Sequence, residues 1–309
     1  MYRSFVLSCV LIFHGIAFGQ EAKATRPAIA GLSHMTLYAG DLNKSQEFYG
    51  DLLGWEQVPS GSVESGVCFY ANHVQYIELL SPPSKGLANH FDSIGFPTSD
   101  AERLRKFLGG NGVTVPPAVT VDRDGNRFFY VKDPEENKVE FTQEGTHAPK
   151  EVKPASARLS THIIHAGFVA HDRAALDRFY KGLLGFHQYW QGGSSPGHTD
   201  WVMMQVPDGT DWVEYMLYLP ANPSREQLGG ANHFAPGVVS VTGMEQKLKQ
   251  KGWVPSAQDR PPLIGADGKW QLDIFDPDGT RAEFTEFQPV QKPCCAPFTG
   301  PQPSPSPIW

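Results

Sequence analysis

An internal duplication constrains the fold more than any other feature of this chain. "FYGDLLGW" (residues 48–55) returns as "FYKGLLGF" (residues 179–186) at an offset of 131. At that offset Asp41 matches Asp172, and His34 in "GLSHMTLY" matches His165 in "HIIHAGFV". "YIELL" around Glu78 resembles "WVEYML" around Glu214, at an offset of 136. The word "ANHF" occurs at residues 88–91 and again at 231–234, an offset of 143. "FYVKDPEENKVEFTQ" matches "IFDPDGTRAEFTE", which pairs Asp133 with Asp276 and Glu140 with Glu283, again at 143. The order never changes, and the drift falls in Gly/Ser/Pro segments such as "QGGSSPGHTD". The chain therefore carries two copies of about 120 residues each.

Each copy divides again. "GDLNKSQEFYGDLLGW" has an Asp cap, an apolar stripe at helical spacing and a glycine stop, and "SDAERLRKFLGGNGV" repeats that form. Each such helix follows a strand and precedes short alternating runs separated by turns. The pattern predicts an α+β chain of four βαβββ units, grouped into tandem domains at residues 30–145 and 161–290. A linker with Pro and charge joins them at 146–160.

The flanks read differently. One Arg precedes an apolar run from Phe5 to Phe18 that ends in Ala17-Phe18-Gly19. That run is shorter than the roughly 20 residues a membrane span needs, so residues 1–19 read as a secretory signal, with an exported protein and no stable membrane anchor. The tail at 291–309, "QKPCCAPFTGPQPSPSPIW" within it, is Pro-rich and expected to stay disordered. Its Cys294 and Cys295 are neighbours, which disfavours a disulfide between them, and no role is assigned to them. With Cys68 these are too few thiols for a disulfide framework. A net charge of −7 without a basic stripe excludes non-specific nucleic-acid binding. The oligomeric state is not legible.

The polar residues in the predicted strands carry the chemistry. His34, Glu78, His90 and Glu140 in the first copy correspond to His165, Glu214, His233 and Glu283 in the second. They fall on the first, fourth, fifth and eighth strand of each copy. Taken alone, Glu140 and Glu283 alternate with charged and hydroxyl neighbours as a solvated face would, and His90 reads as a hydrogen-bonded core histidine. Glu78 sits amid Ile77, Leu79 and Leu80, where an unpaired carboxylate is costly. The joint recurrence of His, Glu, His, Glu points to a divalent first-row metal held by nitrogen and oxygen.

These motifs, from "GLSHMTLYAGDLNKSQEFYGDLLGW" through "QYIELL" and "NHF" to "DPEENKVEF", together with their second-copy counterparts, resemble the vicinal oxygen chelate superfamily. That superfamily includes glyoxalase I, bleomycin-resistance proteins and extradiol dioxygenases. The resemblance implies paired βαβββ units around a cleft, with a metal on the eight residues named above. Glu214 is the weakest of these, because a gapless match would put Leu217 opposite Glu78. The metal would be Fe, Zn, Ni, Mn or Co, and the partner a small substrate that chelates through two neighbouring oxygens.

Three activities follow from the resemblance. A complete four-ligand set suits a glyoxalase-like lyase or isomerase, with Glu140 or Glu78 as base. A triad of His34, His90 and Glu140 suits an extradiol dioxygenase, with Tyr130 as the active-site tyrosine. Alone, Tyr130 reads as an ordinary strand aromatic in "RFFYV". Asp273 takes its place in copy two, and the histidine expected before it is absent from "VDRDGNRFF". The third activity is metal-free binding of a small molecule. The cleaner ligand set in copy one makes it the expected active site.

Overall fold

The architecture is that of a computed structural model, which describes residues 25–145, 154–195 and 197–306. The expected signal segment lies outside these residues. In the first copy β1 (His34–Tyr38) leads into α1 (Leu42–Ser45), which continues as a π-helical turn (Gln46–Leu52). Strands β2 (Glu56–Pro59), β3 (Val67–Tyr70) and β4 (Tyr76–Leu80) complete the unit. The second unit is β5 (Phe91–Pro97), α2 (Ala101–Gly110), β6 (Thr120–Val121), β7 (Arg127–Lys132) and β8 (Lys138–Gln143). Asp41 and Asp100 cap α1 and α2, each accepting from backbone N–H groups of the first turn.

The second copy repeats this plan. β9 (Ile163–Val169), α3 (Arg173–Asp177, continuing as the π-helical Arg178–Leu183), β10 (His187–Gly192), β11 (Trp201–Gln205) and β12 (Trp212–Met216) form its first unit. An added helix, α4 (Arg225–Ala231), leads to β13 (His233–Val238), α5 (Val241–Gln250), β14 (Arg260–Ile264), β15 (Trp270–Phe275) and β16 (Arg281–Glu286). Each copy makes one curled sheet of eight strands, ordered β2-β3-β4-β1-β5-β8-β7-β6 and β10-β11-β12-β9-β13-β16-β15-β14. The two units of a copy join where β1 runs antiparallel to β5, and β9 to β13. The expected α+β arrangement of four βαβββ units is therefore present.

The two sheets share one apolar core, and the helical segments after β1 and β9 contact the opposite copy. Tyr49 of the first π-helical turn packs on Phe69 of its own sheet (5.3 Å) and on Phe234 of the other (5.9 Å). Phe96 meets Phe186 edge-on at 5.3 Å. The duplicated words meet across this seam. Tyr49 donates to Asp276 (2.8 Å), and its counterpart Tyr180 donates to Asp133 (3.3 Å). Gly40 N donates to Asp278, while His171 N and Asp172 N donate to Glu135. "FY" and "DP" recur because each copy's helix is held by the other copy's last turn.

The tail corrects an expectation. Residues 291–306 are not free but strapped across the second sheet. Cys294 N donates to Ala266 O, Thr299 N to Tyr189 O and Gln205 Nε2 to Pro301 O. The buried His162 ring lies 2.7 Å from Asp211 Oδ1 and 2.6 Å from Ser304 O. Proline stiffens the strap, so few chain conformations are lost when it docks. Cys294 and Cys295, expected unpaired, are joined to each other.

Candidate metal centre

Only in the second copy do all four expected side chains converge. His165 is on β9, Glu214 on β12, His233 on β13 and Glu283 on β16, the four central strands of the sheet. The two imidazoles approach at 3.1 Å between their Nε2 atoms. Glu214 Oε2 lies 3.4 Å from His233 Nε2 and 3.9 Å from His165 Nε2. Glu283 lies 3.6 Å and 4.0 Å from the same two atoms. Donors about 2.0–2.2 Å from one ion, at tetrahedral or octahedral angles, stand about 2.9–3.6 Å apart. The two imidazoles with either glutamate lie within a few tenths of an ångström of that spacing. Among the described residues, His165, His233 and Glu283 form a group with ligand atoms all within 4.8 Å of one another; Glu214 approaches the same two imidazoles but is not part of that group.

Electrostatics agree. Burial, reinforced by His233 and Arg281, pushes the His165 pKa well below its usual value. Burial, with Arg281 again contributing, takes His233 down to about 4. These are neutral rings with lone pairs, so their approach to the carboxylates is not ion pairing. His233 Nδ1 lies 2.8 Å from Ala231 O and 3.0 Å from Arg281 Nη2, while its Nε2 faces the cluster. Burial raises Glu214 and Glu283 to about 7, as expected of carboxylates gathered without enough positive charge. Glu214 stands opposite Gly167 as Glu78 stands opposite Thr36, so its equivalence to Glu78 holds in space.

The first copy, the expected active site, does not assemble the set. His90 precedes β5 at the far end of β1, where its Nδ1 bonds Tyr38 O at 2.6 Å and lies 3.8 Å from Asp278 of the other copy. Four residues along a strand separate it from His34, about 13 Å. The residue paired with Thr36, as His233 is paired with Gly167, is Ser93. The spatial offset at this strand is therefore 140, and the four-letter identity at 143 conceals it. Ser93 Oγ is buried without a partner. The three remaining residues satisfy one another and their neighbours. His34 Nε2 is 3.4 Å from Glu140 Oε2, and Glu78 accepts from Thr36, Ser60 and Ser62. Although burial opposes both charges, the mutual attraction raises the His34 pKa and lowers that of Glu140. Tyr130 does reach Glu140, across the β7–β8 pair. The space beside Glu78 and Glu140 is about 20 Å³, room for no more than a water.

The second cleft holds about 240 Å³. Its walls include two residues whose roles the sequence conceals. Arg281, two positions before Glu283 on β16, donates to Glu283 Oε2 at 2.9 Å and lies 3.5 Å from Asp273 Oδ2. Period-two alternation puts Arg281, Glu283 and Thr285 on one face, but the alternation alone reads as solvent-facing. The signal was Asp273 at the Tyr130 position, a charge that needs a partner.

The chain matches the family model described as the glyoxalase/bleomycin resistance protein/dioxygenase superfamily over residues 31–141 and 162–284. It belongs to this superfamily. Similar solved structures include a variant of homoprotocatechuate 2,3-dioxygenase from B. fuscum, with 19% identity and a TM-score of 0.65 over 86% of this chain and 73% of that one. Homoprotocatechuate 2,3-dioxygenase from Arthrobacter globiformis matches at 18% and 0.63, covering 86% and 82%. The 2,3-dioxygenase LapB from Pseudomonas sp. KL28 matches at 16% and 0.64, covering 89% and 98%. At these identities the likeness is one of fold. No curated protein matches the chain in sequence. Among the described residues, no helix is long and apolar enough to cross a membrane.

Proposed function

We propose that this superfamily member is a single-metal enzyme whose second copy works while its first copy serves as scaffold. The observation that carries the reading is the gathering of Glu214 and Glu283 around the paired Nε2 atoms of His165 and His233, beside the second-copy cleft. When bound there, a divalent ion acts as a Lewis acid toward two neighbouring substrate oxygens. The rest of the chemistry belongs to the chain. Glu214 or Glu283 takes and returns a proton, the second-copy counterparts of the expected bases Glu78 and Glu140. Arg281 fixes Glu283 in orientation through the 2.9 Å bond. Trp190, Trp201, Met203 and Met216 exclude water from one side. A donor set of four residues would suit a lyase or isomerase acting on a chelating substrate.

One observation favours a second reading. His165, His233 and Glu283 alone form a two-histidine, one-carboxylate group, the donor set of iron oxygenases. Against it, the tyrosine position is occupied by Asp273 in this copy. Oxygen uptake by Fe(II)-loaded protein with catechols separates the two activities. The metal assignment has its own test. Protein loaded with Zn(II) or Mn(II) should retain about one ion per chain, His233→Ala and Glu283→Ala should retain none, and His90→Ala should bind as wild type. Undiminished metal in His233→Ala would sink the reading. We propose export of the protein on the apolar leader alone, testable by whether residues 1–19 are missing from the mature N-terminus.

A further inference from the structure

The second cleft is chemically two-sided, and its two sides come from different units. On the β10–β12 half, Trp201 pairs with Met216, and Met203 with Glu214, beside the buried Trp190. This half offers flat and polarisable apolar surface. On the β14–β16 half the lining is Arg260, Asp273, Arg281 and Glu283. Arg260 stands at the rim with its side chain 65% exposed, 3.8 Å from Asp273. Arg281 is largely enclosed: Nη1 faces Glu283 and Asp273, Nη2 faces His233, and its buried Nε–H has no protein partner. The metal-capable cluster lies on the seam between the halves.

The charges are unequal. Glu214, Asp267, Asp273 and Glu283 are four carboxylates, and Arg260, Arg281 and the buried Lys269 are three cations. A divalent ion on the cluster turns a deficit of one positive charge into a surplus of one. We propose that this cleft takes a small monoanion with a flat apolar body, its anionic group received by Arg281 and Arg260 and its body by Trp190, Trp201, Met203 and Met216. The inference rests on the metal-binding reading above and names the ligand class for that site. A neutral vicinal diol leaves the surplus charge unmatched, whereas a carboxylate next to an oxygen donor reaches both the seam and the Arg281 side. The first copy has Lys138 and Tyr130 at the Arg281 and Asp273 positions, and only about 20 Å³ beside Glu78 and Glu140.

The test compares mandelate with 1-phenylethane-1,2-diol, which share the phenyl ring and the hydroxyl and differ in charge. Binding to Zn(II)-loaded full-length protein is measured by calorimetry, with metal content determined in parallel. Mandelate should bind at least about tenfold tighter than the diol at low salt, and the margin should shrink as ionic strength rises. A carboxylate also prefers a metal by itself, so the variants decide. Arg260→Gln should cut the mandelate-to-diol ratio several-fold at unchanged metal content; Arg281→Met, compared at equal metal loading, should cut it too, and Arg281→Lys should restore part of it. Because Arg260 is exposed, its variant reports even where Arg281→Met fails to fold or loses metal. Equal affinity for the two ligands in wild type overturns the inference, as does a ratio indifferent to Arg260→Gln. Absence of bound metal in wild type fails the metal reading instead, and is seen before any ligand is added.

Discussion

Gly167 shows how much a single residue controls at this centre. A Cβ placed there would lie 2.0 Å from His233 Cε1, so the imidazole occupies the space a side chain would fill. His233 has nowhere to retreat, being fully buried with Nδ1 held by Ala231 O. Gly167→Ala should therefore displace the ring and weaken metal affinity by about 10–100-fold, the usual penalty for disturbing a ligand's support. The check is a metal titration of the variant against wild type, and unchanged affinity would show that His233 does not ligate. The same scale explains the failed copy. A serine in place of a histidine at position 93 removes one donor, and Ser60 and Ser62 then satisfy Glu78 in place of a metal.

The tail strap is the element whose contribution is easiest to isolate. Tyr189 donates to Gln302 at 2.5 Å, Gln205 to Pro301 at 2.9 Å and Thr161 to Pro305 at 3.1 Å. His162 lies between Asp211 and Ser304 O, two acceptors, so both ring nitrogens carry protons; burial opposes the charge, but Asp211 prevails and raises the pKa. Deleting residues 291–309 should cost about 2–4 kcal/mol, from a few hydrogen bonds at about 1 kcal/mol each and a buried His162 nitrogen left unpaired. Thermal unfolding should register this as a fall of about 5 °C or more. A truncated chain as stable as the full one would mean the strap is only laid on the surface. The reciprocal bonds are a second case. Tyr49→Phe and Tyr180→Phe should each cost about 1 kcal/mol, and their effects should add, since the two contacts share no partner.

At the scale of the whole molecule, pH acts on both the seam between copies and the metal centre. Burial raises Asp276, the acceptor of Tyr49, to about 6. A carboxyl whose folded pKa exceeds its unfolded value near 4 binds more protons when folded, so its contribution is fullest below pH 4 and is lost as pH rises to about 6. The stability of Asp276→Asn relative to wild type should therefore climb between pH 4 and 6, by up to about 3 kcal/mol, in denaturant titrations. A flat difference would show that Asp276 ionises freely in the fold. Glu214 and Glu283 held near 7 have a separate consequence. A metal must displace their protons at pH 5.5 but not at pH 8, so added Zn(II) should raise the unfolding temperature more at pH 8. Equal shifts at both values would place the ion elsewhere.

The sequence by itself determined the duplication, the four βαβββ units and seven of the eight residues that stand near the two floors. It could do so because strand alternation, helix caps and apolar stripes are local and survive in each copy. It also paired Glu214 with Glu78 correctly once the insertion was placed. What only the tertiary structure decided was strand register. A shift of three residues between His90 and Ser93 carries a histidine from the cleft floor to the far end of the strand, and the identical word "ANHF" hides that shift. Packing between distant segments decided the rest. The Pro-rich tail has too little apolar surface to fold alone, yet it docks because the second sheet supplies the partners. Arg281 looks solvated by alternation until the sheet curls around it. Which copy can hold a metal depended on where side chains meet in space, and pattern along the chain carries that information only when register is known.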